Sequence, residues 1–175
     1  MTTAPLVPRS TEEQARLDAA LVELFERRIT FNQTLGLQVL SVRPGDVRGR
    51  ILMRPELVGH YAYGRLHGGV ISATLDAMGG LALMVGIAER HPHDNTMQVM
   101  HRFAKMGTID LRIDYLRPGR AQTLVAEAKV VRAGQRVGVV DVTLFHPNDE
   151  AYVIATGKGV YNIKLSKEHG FEAAR

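Results

Sequence analysis

From Gly68 to Ala88 the chain is almost wholly apolar, and one carboxylate, Asp76, sits near the middle of the run. No other feature constrains the fold as strongly. A segment of this length either crosses a bilayer or forms the buried centre of a soluble domain. The charge decides between them. An Asp near the centre of a spanning helix costs about 2.5–3.5 kcal/mol on insertion scales, and five glycines further dilute the segment. The rest of the chain alternates like a soluble sheet. The segment is therefore read as a buried central helix from about Gly68 to Glu89, in a protein expected to be cytoplasmic.

At 175 residues the chain is the size of one domain, large enough to bury a real core. It has no Cys, which removes disulfides and a thiol nucleophile. Its net charge of +4 comes from 22 basic and 18 acidic residues that are interspersed. Nucleic acid is not expected as a partner, because its binding normally needs a concentrated basic stripe. A mildly basic surface suits an anionic small molecule. The N-terminal "MTTAPLVPRS" holds two prolines and no uninterrupted apolar run, unlike a secretory signal.

Residues 1–9 read as a disordered leader. Ser10 followed by Glu13 has the spacing of a capping box. Leu17, Leu21, Leu24, Phe25 and Ile29 then fall at helical intervals, predicting an N-terminal amphipathic helix within residues 10–30. In "GLQVLSVRPGDVRGRILMRP" two β-rich runs flank Pro44-Gly45-Asp46, predicting a hairpin. "ELVGHYAYGRL" reads as a loop. Residues 91–106 read as a loop with a short helix. Four strand-like runs follow: "TIDLRIDYL", "TLVAEAKVVR", "RVGVVDVTLFH" and "EAYVIATGKGVYNI". Six strands and one apolar helix predict an α+β fold, a curved antiparallel sheet wrapped around that helix. This domain is expected over residues 31–165, with a C-terminal tail at 166–175.

An unpaired carboxylate among Ile71, Leu75, Ala77, Met78 and Leu81 would be costly to bury. Hydrogen bonds inside a subunit interface would explain it without any activity. His67-Gly68-Gly69, at the head of the same helix, adds chemistry. The first helical turn offers backbone N–H groups without internal partners, and the helix dipole favours negative charge there. Glycines let a ligand approach those groups closely. Such an arrangement can stabilise an oxyanion on an ester or thioester carbonyl. His67 and Asp76 are nine residues apart, roughly 13 Å along a helix and about half a turn around it. One reacting carbon cannot easily meet both on a single helix. If both act on one substrate, two copies must contribute, giving a homodimer with composite sites.

"LHGGVISATLDAMGGLAL", followed after an insertion by "GTIDLRIDYLRPGR", resembles the hotdog-fold acyl-CoA thioesterases of the PaaI type, and most of all their YigI-like branch. The resemblance covers about Phe31 to Ile163. It implies hydrolysis of medium- to long-chain acyl-CoA, with coenzyme A as part of the substrate, no cofactor and no metal, in a homodimer or homotetramer. It implies that Asp76 is the catalytic carboxylate, as general base or nucleophile. Gly68 would supply the N–H that meets the thioester oxygen, His67 would orient that carbonyl, and Thr108 would position the attacking water. Regular alternation puts Thr108 on the wrong side from Ile109 and Leu111, so that role requires a bulge or a position just before the strand. Many relatives carry Asn or Gln six residues before the histidine; this chain has Tyr61, beside His60, as a substrate-binding candidate with Gly69. Arg117, Arg120, Arg132 and Arg136 fall at strand ends and turns, where coenzyme A phosphates could lie.

Three other readings compete. A hotdog hydratase would carry a His five residues after the Asp, where this chain has Leu81. A non-catalytic acyl-CoA-binding protein would keep the groove yet could dispense with Asp76. A zinc site from His91, His93, Asp94 and His101 would rest on a proline-containing connector that offers no fixed scaffold.

Overall fold

The computed structural model describes residues 7–164. Helix α1 (Thr11–Glu23) begins at Ser10, whose side chain accepts from the Glu13 N–H at 3.2 Å. The reciprocal half of the expected capping box is not made. The Glu13 carboxylate instead accepts from the Thr96 N–H at 2.7 Å, joining two helix starts. A widened π-helical turn, Leu24–Arg28, follows α1 and leads into α2 (Thr30–Leu35). There the Ile29 N–H reaches back to Leu24 O, while buried Asn32 donates to Phe25 O at 3.0 Å. Leu17, Leu21 and Phe25 are buried as their spacing predicts.

Arg9, which the sequence places in the leader, is held tightly. Its guanidinium donates to the carbonyls of Ala88, His91 and Asp94 at 2.7, 2.6 and 3.0 Å. These are carbonyls at and just beyond the C-terminus of the central helix, where a cation also suits the helix dipole. Residues 1–6 of the leader and the tail at 166–175 lie outside the described residues.

Strands β1 (Gln38–Arg43) and β2 (Asp46–Leu52) form the hairpin, closed at Gly45 with φ of 76°. The expected loop after it folds into a 3₁₀ turn (Pro55–Leu57) and a small ribbon of β3 (Val58–His60) and β4 (Arg65–Leu66). The ribbon leads into α3 (Gly68–Arg90), then α4 (Thr96–Arg102). Helix α4 has a full capping box between Asn95 and Gln98 and packs against α1. Four long strands complete the chain: β5 (Gly107–Tyr115), β6 (Thr123–Ala133), β7 (Val137–His146) and β8 (Asp149–Asn162).

The main sheet runs β1-β2-β6-β7-β8-β5 with every neighbouring pair antiparallel. All six strands touch α3, so the sheet wraps the helix as the α+β reading requires. Leu75, Met78, Leu81 and Leu83 are fully buried against it. Helix α3 is long and apolar enough to cross a membrane, but 67% of its apolar window is buried inside the protein. Burial is not uniform around it. Gly69, Ser72, Ala73, Asp76 and Ala77 keep partial or full exposure along one side of its first half.

Candidate active site

Asp76 lies on that less covered side of α3. Its Oδ1 accepts two hydroxyls, Thr108 Oγ1 at 2.8 Å and Tyr161 Oη at 3.1 Å. Oδ2 has no hydrogen-bond partner among the described residues. The carboxylate is thus held from one oxygen and left open at the other. The two O–H donors fix its orientation.

Thr108 reaches Asp76 because β5 is irregular at its start. The register shifts between Thr108, paired with Tyr161, and Asp110, paired with Val160. Ile109 is the extra residue, and a bulge of this kind re-aims a neighbouring side chain. The parity conflict seen in the sequence is resolved this way.

Tyr161, on β8, carries no site signal in the sequence beyond its place in a strand. It is fully buried, and its hydroxyl also reaches Asp76 O at 2.9 Å. A Cβ at Gly79 would collide with Tyr161 Oη, so glycine in mid-helix is what lets the ring approach. Burial, and then the facing Asp76 charge, push the phenol far above the usual tyrosine range. Tyr161 therefore remains a proton donor to Asp76 throughout the working range of pH.

His67 is the N-cap of α3, and its Nδ1 accepts from the Gly69 N–H at 2.9 Å. That bond fixes the ring and leaves Nε2 as its outward nitrogen. It also takes up the Gly69 N–H, which the sequence had offered to a ligand. The Gly68 N–H has no acceptor among the described residues. Tyr115, at the end of β5, donates from Oη to Gly68 O at 3.2 Å and lies against the Gly68 backbone. The sequence showed Tyr115 only as a strand residue. Its place at the helix entrance depends on β5 lying beside α3.

Gly68 and Asp76 are eight residues apart on one straight helix, about 12 Å along its axis. Within one protomer, Gly68 and Asp76 are therefore well apart. Of the candidate arginines, Arg117 and Arg120 belong to the helix-entrance end, where Leu66 N–H donates to Gly119 O at 2.9 Å. Arg117 donates to Val153 O at 2.8 Å and lies over the Tyr152 ring. Arg136 is elsewhere. It lines a cavity of about 770 Å³ with Ile87, Arg90, His91 and Lys164, at the opposite end of α3. Arg132 stands on β6, two residues beyond Val130 at a register shift against β7. Tyr61 is 94% exposed at the tip of the β3–β4 ribbon.

The residues of the rejected zinc reading have other roles. His91 ends α3, and Asp94 is ion-paired with Arg102. Burial and the nearby Arg102 hold His91 below the usual histidine range. Among the described residues there is no group of three or more His, Asp or Glu placed to hold a metal.

A family model described as thioesterase superfamily matches residues 63–153, the span from the β3–β4 turn to β8. The chain belongs to the thioesterase superfamily. It is 37% identical over 141 residues to the medium/long-chain acyl-CoA thioesterase YigI of Salmonella typhimurium, covering 81% of this chain and 90% of that one. A crystal structure of a Shewanella oneidensis protein related to the thioesterase superfamily superposes with a TM-score of 0.81 at 35% identity, covering 88% and 99% of the two chains. The phenylacetic acid degradation protein PaaI of Thermus thermophilus shares the fold, with a TM-score of 0.58 at 22% identity over 76% and 97%. The hotdog fold and the family resemblance expected from the sequence are both borne out.

Proposed function

We propose that the protein hydrolyses medium- to long-chain acyl-CoA thioesters to the free acid and coenzyme A. The observation that carries this reading is Asp76 itself. It is a carboxylate on an otherwise apolar central helix, held through Oδ1 by two hydroxyls and open at Oδ2. The name of the Salmonella relative supports the substrate class.

In this reading Asp76 Oδ2 takes a proton from water as the water oxygen attacks the thioester carbon. The resulting oxyanion is met by the unpaired Gly68 N–H at the positive end of α3. Collapse breaks the carbon–sulfur bond, and the Asp76 carboxyl returns its proton to the departing thiolate. Thr108 and Tyr161 hold the carboxylate in place, while His67 Nε2 and Tyr115 frame the entrance. The Gly68 end and the Asp76 end are too far apart on one helix, so two protomers share each site. The open side of α3 and edge strand β5, which exposes Ile109 and Tyr115 beside Leu116, supply an apolar face for that pairing.

Free-thiol release from acyl-CoAs of short, medium, long and aromatic chains tests the reading on wild type and Asp76→Ala. Turnover on medium or long chains that falls at least a hundredfold in the variant is the expected result. Equal turnover in both proteins would remove Asp76 from the chemistry. No turnover on any chain would leave an acyl-CoA-binding protein.

A further inference from the structure

The end of the molecule opposite the helix entrance carries charge that the hydrolytic chemistry does not use. Arg90, Arg136 and Lys164 line one cavity of about 770 Å³ there, with Ile87, His91 and Ile163. No carboxylate is among its lining residues. Arg48, Arg102 and Lys158 each have a carboxylate partner elsewhere on the molecule. The three cavity cations have none among the described residues, and Glu89, the acid beside them in the chain, pairs with none of them. Arg132, exposed on the neighbouring strand β6, is equally without a carboxylate partner there.

The end of a helix attracts cations, but at α3 Arg9 already meets that need through the carbonyls of Ala88, His91 and Asp94. Arg90 donates instead to Ala133 O at 2.6 Å, on the β6–β7 hairpin. The hairpin turn is closed by the Gly134 N–H on Val137 O at 2.9 Å, and the Ile163 N–H on Arg136 O at 2.8 Å ties it to the end of β8. These bonds hold the cations on one rigid end of the sheet.

The same hairpin turns apolar side chains into water. Its register shifts between Val130 and Arg132, which leaves Val131 as the extra residue. Val130 lies against α3 at Gly86 and Ala133 packs on the core, so Val131 and Arg132 fall on the outer side. Val131 is 54% exposed, and Val137, at the start of β7, is 43% exposed. Two projecting valines beside unpaired cations mark a contact surface rather than a solvated face.

We infer that this end of the molecule docks on an anionic bilayer, with Arg90, Arg132, Arg136 and Lys164 on the lipid phosphates and Val131 and Val137 in the interface. Guanidinium groups match phosphate oxygens, and an anionic leaflet attracts each Lys or Arg at its surface. Apolar side chains beside the cations add burial at the acyl boundary. That pairing distinguishes a bilayer from a soluble phosphate, which would use the cations alone. Gly68 lies at the other end of α3, about 33 Å away along the axis, so docking leaves the helix entrance free. Membrane docking goes beyond the acyl-CoA reading and is tested without a thioester.

Flotation of the full chain with vesicles tests it, using phosphatidylcholine alone and phosphatidylcholine mixed with phosphatidylglycerol. Wild type is expected to float with the mixed vesicles only, and to be released as salt is raised. Arg132→Gln and Lys164→Gln should each weaken partitioning about fivefold. The double variant Val131→Ser with Val137→Ser, which changes no charge, should weaken it by a similar factor, with thermal unfolding at the wild-type Tm showing an intact fold in all three. No flotation of wild type with the mixed vesicles would overturn the inference, as would flotation that every variant leaves unchanged. Weakening by the two cation variants with none from the valine pair would also overturn it, and would assign the cavity to a soluble phosphate instead.

Discussion

Tyr161 links the core of this protein to its carboxylate. Its ring fills the space beside Gly79, and its single hydroxyl proton is shared between two oxygens of Asp76, the backbone O at 2.9 Å and Oδ1 at 3.1 Å. The raised phenol pKa gives a prediction with a definite sign. An unfolded tyrosine ionises near pH 10, whereas the buried one remains protonated. Above pH 10 the unfolded state binds fewer protons, so stability falls as pH rises. Its contribution is present in full below about pH 10 and is lost progressively above it. Wild type should lose about 1.4 kcal/mol per pH unit more than Tyr161→Phe in that window. Denaturant unfolding from pH 9 to 11 measures the difference, and equal slopes would mean that the phenol titrates as freely as in water. The same Tyr161→Phe should lower kcat by about tenfold, because one of two donors to Asp76 Oδ1 is gone.

Elements explain what could and could not be read in advance. Helix α3 was legible because Asp76 and the glycines weigh against a membrane span for that apolar run and leave a wrapped core helix, and the β1–β2 hairpin because Pro44-Gly45 announces its turn. The bulge at Ile109 was legible only as a conflict: Thr108 had the right chemistry on the wrong parity. The Asp76 partners were less visible. Tyr161 sits 85 residues away, and only the β5–β8 pairing and the bare Gly79 bring it in. The small β3–β4 ribbon was read as a loop, since two- and three-residue strands are set by docking on His67 rather than by periodicity. Arg9 was missed for a similar reason, being local to nothing. Its three bonds to carbonyls at the end of α3 predict that Arg9→Ala costs about 1–3 kcal/mol. For a chain of this size each kcal/mol lowers Tm by about 2–4 °C. A scan of the variant that superposed on wild type would show that the clamp carries no stability.

At the scale of the whole molecule, the protomer pairs a finished core with an uncovered face on its central helix. The sheet closes around α3 on one side, while Asp76 and the small residues beside it remain open on the other. If the helix entrance and Asp76 act on one substrate, as proposed above, the spacing along α3 calls for two copies, because one helix cannot bring both to a single reacting carbon. Gly68→Pro offers a clean way to remove the N–H donor, since proline suits the first helical position and His67 already has ψ of 136°. Pairing it with Asp76→Ala tests the shared site most directly. In a mixed dimer one site inherits both defects and the other inherits none. Equimolar co-refolding of the two inactive variants should therefore restore about a quarter of wild-type acyl-CoA hydrolysis, half of the dimers being mixed and each having one of two sites intact. A mixture containing mixed dimers but no more active than its separate components would contradict the account, because each site would then be built within one protomer.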